Sequence, residues 1–394
     1  MKKTFNILSL FIGSILLFLS CSKDENKTSY PSMKETFGSN INPDQLANYS
    51  AQPRPGYILK DNSGANPITD AKATLGRVLF YDKNLSIDNT VACASCHQQQ
   101  FAFGDPIVPS KGVQGGTTGR HSMRLINTRF GSELRFFWDE RAPSLELQTT
   151  QPIKDHAEMG FSGQNGRPGF NSVISKLQSI NYYKELFQFV YGDQAITEVR
   201  LQECLSQFIR SIQSFDAKYD IGRSQVGNDG PPFPNFTPQE NQGKQLFLAP
   251  PQFGPGGIRT GGGAGCAGCH RPPEFDIDPN SRNNGITATI TGGTQDFTNT
   301  RSPSLRDLTN NAGIVNAPMM HNGGINSLRN VILHYNTINR REGNNNLDPR
   351  LTPGGSPQRL QLTEAEINAL VSFLQTLSGT NIYTNKKWSD PFLK

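Results

Sequence analysis

The chain has no run of like charges, no strand-rich region and, beyond its N-terminus, no long apolar stretch. Each absence narrows the reading. Lys and Arg number 38 and Asp and Glu 33, a formal charge of +5, and the basic residues are scattered. Scattered charge is a solvated surface and offers no footprint for nucleic acid. A chain without strand patterning reads as mainly α. The apolar stretch from Ile7 to Leu19 is about 13 residues, short of the roughly 18 that a membrane-spanning helix needs.

That stretch fits an export signal instead. Lys2 and Lys3 form a charged n-region ahead of it, and Leu19-Ser20-Cys21 follows at once. The end resembles the lipobox of bacterial lipoproteins, although Phe18 stands where Leu is usual and Leu19 where a small residue is usual. Residues 1–20 are therefore expected to be a signal peptide, with Cys21 as the lipidated N-terminus and only membrane attachment. An ordinary secretory peptide with a free cysteine is the alternative. Ser22-Lys23-Asp24-Glu25 resembles acidic signals that send some lipoproteins to the cell surface. The expected location is outside the cytoplasm, as a periplasmic or outer-membrane, cell-surface lipoprotein. Residues 21–65 are polar and read as a lipoprotein tether with little structure.

Six cysteines are present, and four lie in two copies of one pentapeptide. The first is Cys93-Ala-Ser-Cys96-His97 and the second is Cys266-Ala-Gly-Cys269-His270. Neither has the second nearby cysteine pair that a zinc site needs. With His directly following, the two cysteines can form thioethers to haem vinyl groups and the imidazole can ligate the iron. Two covalently bound haem c groups are expected, on His97 and His270. Export agrees, because such haems are attached outside the cytoplasm. Four propionates, and loss of Lys2 and Lys3, would bring the mature protein near neutrality. Cys204 lies with Leu201, Leu205, Phe208, Ile209 and Ile212 at helical spacing and reads as a small buried hydrophobe.

The chain looks duplicated. Gly76-Arg-Val-Leu79-Phe80 precedes the first motif, and Gly243-Lys-Gln-Leu246-Phe247 the second. Between them, Val173, Ile174, Leu177 and Ile180 form one apolar stripe and Val199 to Phe215 a longer one. Thr237-Pro-Gln-Glu240 and Thr363-Glu-Ala-Glu366 are capping boxes. The second opens a helix with Ile367, Leu370, Val371 and Leu374 on one face, stopped by Gly379. Asn228-Asp-Gly-Pro-Pro-Phe-Pro is a breaker cluster. The expected architecture is mainly α: two cytochrome c-like haem domains with long loops, residues 66–225 and 226–394.

These motifs, with Phe137-Trp138-Asp139-Glu140-Arg141-Ala142 and Glu158-Met159, resemble the bacterial di-haem cytochrome c peroxidases and their MauG-type relatives. The resemblance runs from about residue 70 to 380. It implies a peroxide site at the N-terminal haem, with Gln148, Pro152 and Glu158 in the distal pocket. A carboxylate there can move a proton between the two oxygens as the O–O bond breaks. It implies that Trp138 stands between the haems as an electron relay; the alternative is core packing. It also implies that assembly as a homodimer is common.

Two departures stand out. Peroxidases that need reductive activation carry a distal His in the loop after the first motif, and residues 101–119 contain none. The first haem should then be five-coordinate at rest. His121 aligns with an Asn that binds Ca2+ between the domains, which puts a calcium cofactor in doubt and suggests His121 as a hydrogen-bonding replacement. Second, the usual Met ligand of the other haem falls fourteen residues after a Phe-His pair. The matching count from Met320-His321 reaches Tyr335, as in MauG-type enzymes. Met319, Met320 and His334 are rival ligands, and Tyr335 could instead be a core aromatic.

The resemblance thus implies a peroxidase reducing hydrogen peroxide with electrons from a small donor protein such as a cytochrome c. A MauG-type oxidase that modifies residues of a partner protein, and a di-haem electron carrier without catalysis, are the alternatives.

Overall fold

The computed structural model describes Met1, residues 29–132 and residues 134–393. The expected export signal and Cys21 lie outside the described residues. Helix α1 spans Pro31–Phe37, α2 Asp70–Tyr81, α3 Cys93–Cys96, α4 Leu145–Thr149, α5 Gln151–Lys154 and α6 Phe170–Gln178. Then come α7 Asn181–Tyr191, α8 Glu198–Ser211, α9 Lys218–Arg223, α10 Pro238–Leu248, α11 Leu328–Asn336 and α12 Glu364–Gln375. Among the described residues, strands form only two antiparallel ribbons: β1 (Pro251–Phe253) with β2 (Arg259–Gly262), and β3 (His270–Arg271) with β4 (Asp276–Ile277). The molecule is mainly helical with long loops, as its patterning implies.

Both capping boxes form, with Thr237 and Glu240 closing the start of α10 and Thr363 and Glu366 that of α12. Helix α12 stops earlier than expected, at Gln375 with Thr376 as its cap. Gly379 serves packing instead, since a side chain there would overlap Asp216 and Ser214. Leu201, Cys204, Leu205, Phe208, Ile209 and Ile212 are all buried, while Val199 faces solvent. Cys204 is the inert small hydrophobe expected, with burial pushing its thiol up to about 12.

The glycine of the duplicated Gly-X-X-Leu-Phe segment has a packing cause. A side chain at Gly76 would overlap the Cys204 carbonyl and Phe208 of α8. A side chain at Gly243 would overlap the Ala369 carbonyl and Phe373 of α12. Each glycine thus lets one helix lie directly on its partner, α2 on α8 and α10 on α12. The phenylalanine one turn later, Phe80 or Phe247, is then fully buried. Gly76→Ala should force the first pair apart, and overpacking of this kind typically costs about 1–3 kcal/mol. Thermal unfolding should show a Tm lower by about 2–12 °C. Gly119→Ala, where an added Cβ meets nothing within 4 Å, should leave Tm in place.

Two boundaries need correction. The tether expected over residues 21–65 does not describe residues 29–65, since Met33, Phe37, Ile41 and Tyr49 are buried in the first core. The Glu185 carboxylate accepts from the backbone N–H of Ser32 and Met33 at 3.0 and 2.8 Å, fixing the start of α1. Polar average composition concealed a few apolar side chains at the right spacing. Nor does the second unit begin at 226 and run to the C-terminus. Its core starts at Tyr219. Ile382 and Trp388 return to the first core. There the Trp388 indole N–H donates to the Ser211 carbonyl (3.1 Å) and Arg77 Nε to that of Ser389 (2.6 Å).

Candidate functional site

The first motif folds as the single turn α3. His97 N donates to the Cys93 carbonyl at 3.0 Å, closing the turn. His97 Nδ1 lies 3.2 Å from the Phe103 carbonyl. A carbonyl only accepts, so Nδ1 carries the proton and Nε2 keeps a lone pair for a metal. That carbonyl is aimed by two left-handed residues in a row, Ala102 and Phe103, each at φ 55°. Burial lowers the His97 pKa, which keeps the ring neutral as a ligand must be. Cys93 and Cys96 are free thiols, each pushed up to about 12 by burial.

The second motif opens onto a cavity of about 600 Å³ lined by Cys266, Cys269, His270, Met319, Met320 and Tyr335. That volume lies within the roughly 300–1,000 Å³ of cofactor pockets. His270 is neutral, with burial pulling its pKa down to about 4. The donor set fits haem c. Each motif offers two unpaired, protonated thiols beside a neutral imidazole. Among the described residues no group of three His, Cys, Asp or Glu side chains is arranged to hold a metal ion, so neither motif is built as a zinc knuckle.

The segment facing the first motif is held from its backbone. Ser144 caps α4, which carries Gln148, and α5 carries Pro152; both residues are half-buried. The chain then turns on Asp155, whose carboxylate accepts from the N–H of Ala157 (2.8 Å) and Glu158 (3.0 Å). Val113 N donates to the Glu158 carbonyl at 3.1 Å. Side chains at Gly112 or Gly116 would overlap the Ala157 carbonyl, so the loop after the first motif lies directly on this turn. Glu158 thereby comes within electrostatic reach of Cys93 and Cys96. Burial pushes its carboxyl up to about 7, with Asp155 adding to the rise and Arg141 opposing it. A carboxyl near 7 can both accept and donate a proton at neutral pH. Gln148 and Pro152 share this segment, yet no hydrogen bond joins the Gln148 amide to the motif. Sequence reading missed Asp155, Gly112 and Gly116; the Asp-X-X-Glu spacing was the available signal.

Trp138 lines the second cavity. Its indole N–H donates to the His121 carbonyl at 2.7 Å, and its ring centroid lies 6.3 Å from that of His321. Three residues on, Arg141 acts on Glu158. The segment from Trp138 to Arg141 therefore runs from one motif's surroundings to the other's. His121 spans the same gap, lining the second cavity while its ring feels His97. It bonds through its backbone: its N–H donates to the His321 carbonyl at 2.7 Å, and its carbonyl takes the Trp138 indole. Its ring is buried.

Tyr335 projects from α11 into the second cavity, and burial raises its phenol pKa. Met319 and Met320 line the same space. His334 does not line this cavity; its Nε2 donates to the Asn284 carbonyl at 3.0 Å.

Residues 70–225 match the model of a family described as di-haem cytochrome c peroxidase. The chain is 29% identical over 324 residues to the methylamine utilization protein MauG of Methylophilus methylotrophus, covering 80% of this chain and 84% of that one. It is 24% identical over 319 residues to the cytochrome c551 peroxidase of Nitrosomonas europaea, covering 78% and 80%. Among solved structures, it is similar to a MauG-like protein associated with microbial copper homeostasis, with a TM-score of 0.62, 25% identity and coverage of 86% and 98%.

Proposed function

Because the chain belongs to the family of di-haem cytochrome c peroxidases and MauG proteins, we propose that it is an exported di-haem peroxidase. It reduces hydrogen peroxide to water with electrons from a small redox protein. Its two helical units each enclose one haem in the manner of a c-type cytochrome. Cys93 and Cys96 hold the first and Cys266 and Cys269 the second, with His97 and His270 as iron ligands. When bound, the haems supply the redox chemistry: a site for peroxide at the first iron and a store for incoming electrons at the second.

The protein's own residues manage the proton. Glu158, as carboxylate, takes the proton of the nearer peroxide oxygen and passes it to the farther one, which leaves as water. The Gln148 amide orients the peroxide by hydrogen bonding, and Pro152 shapes the pocket beside it. Trp138 relays electrons between the sites. Its indole N–H faces a backbone carbonyl, which cannot take the proton, so the ring can give up and regain an electron with the proton in place. The observation that carries the reading is the half-buried Glu158 carboxyl, pushed up to about 7 and in reach of the first motif. Steady-state oxidation of a reduced cytochrome c by peroxide tests it. Turnover is expected. A protein with both haems that consumes no peroxide with any reduced donor is not a peroxidase.

A second reading has its own observation. Tyr335 in the second cavity favours a MauG-type oxidase acting on a protein partner, since a phenolate ligand stabilises ferric iron and lowers the potential. Lipidation of Cys21 belongs to the same proposal as export, and intact mass of the membrane-extracted protein reads it.

A further inference from the structure

We propose that Asn284 selects the ligand of the second iron, presenting the Tyr335 oxygen and holding the Met320 sulfur away. The inference rests on the reading of Tyr335 as that ligand. Asn284 is a positioning residue, lining the second cavity beside both candidates.

The amide is oriented by its own loop. Ile286 N–H, which can only donate, points at Asn284 Oδ1 at 3.1 Å. The opposite end of the amide is therefore the –NH2 group. That group lies 3.2 Å from the Tyr335 hydroxyl oxygen and 3.4 Å from Met320 Sδ. Two hydrogens serve two acceptors. The backbone is fixed as well. The Asn284 carbonyl takes the His334 imidazole N–H at 3.0 Å, and Gly285, at φ +91°, turns the chain directly after it. Met320 is itself held in the left-handed region, at φ 71°. That conformation is costly for a residue with a side chain and persists only where its surroundings impose it.

The chemistry follows from the donor. An amide N–H cannot accept, so the Tyr335 oxygen must accept from it. The hydrogen bond holds that oxygen at the cavity wall, 3.2 Å from the amide. The phenol's own proton then points elsewhere, and iron would take that direction. The second amide hydrogen engages a lone pair of the Met320 thioether, a rival for the same position. One residue thus favours oxygen and restrains sulfur. The choice matters because phenolate lowers a haem potential and thioether raises it.

The test uses the full-length protein carrying both haems. Asn284→Leu keeps the size and removes the donor. Its second haem should lose the phenolate signature in ferric electron-paramagnetic-resonance and optical spectra. It should gain the weak red sulfur-to-iron absorption, and its midpoint potential should rise. Asn284→Leu combined with Met320→Leu should lack the red band. Met320→Leu alone, a substitution that cores tolerate well, should leave the second haem as in the wild type. A changed second-haem spectrum in that variant means that sulfur is already bound, and overturns the proposal. So does Asn284→Leu with wild-type spectra and potential when Tyr335→Phe alters both. If Tyr335→Phe alters neither, the ligand reading itself fails, and the inference with it.

Discussion

Replacing Glu158 with Gln lowers peroxide turnover by about 10²- to 10⁴-fold and leaves the spectra of both haems in place. Gln keeps the size and polarity of the side chain and removes its ability to take a proton. The loss should be confined to chemistry because the turn does not depend on the carboxylate. The turn is held by the Asp155 carboxylate and by backbone groups of Glu158. The same residue sets a pH dependence. Its carboxyl is raised to about 7 by burial, and the carboxylate is the form that accepts the first proton. Turnover should therefore fall as pH drops through about 7 and level off above it, and Glu158→Gln should abolish that arm. Near-wild-type turnover in the variant would make Glu158 an ordinary half-buried acid.

Changing Cys93 and Cys96 together to Ala should leave one covalent haem of two and remove peroxide turnover altogether. The two motifs sit against separate cores, one built on α2 and α8 and the other on α10 and α12. Loss of the first haem should therefore spare attachment at Cys266 and Cys269. Intact mass and haem staining count the groups, and the optical spectrum shows whether the surviving one is unchanged. A variant that still carries two covalent haems would contradict the assignment of the motif. The converse pair, Cys266→Ala with Cys269→Ala, should retain the first haem and lose electron delivery from the donor.

How much of this could be read from sequence differs by kind of feature. The motifs were legible because covalent attachment fixes residue type and spacing locally. The helices α8 and α12 were legible because their buried residues recur at helical period, and the capping boxes marked two helix starts. The duplicated glycine was visible as a repeat, but its cause was not. That cause is the Cys204 or Ala369 carbonyl more than 120 residues away. The same limit hid the return of Trp388 to the first core and the packing of Met33 and Phe37. Each depends on a partner distant in sequence. Glu158 and Trp138 came from the family resemblance, whereas Asn284 carried no signal in the chain at all. Its importance is a matter of two acceptors meeting one amide.

The most direct test is the electron-paramagnetic-resonance spectrum of the resting, fully ferric protein, recorded before and after peroxide. The loop of residues 101–119 offers the first iron no histidine, and the His121 backbone is tied to Trp138 and His321. The account predicts one high-spin ferric signal, from a first haem with an open position, beside one low-spin signal from the second. Peroxide should react without prior reduction. A wholly low-spin spectrum, or a requirement for half-reduction before peroxide reacts, would contradict it.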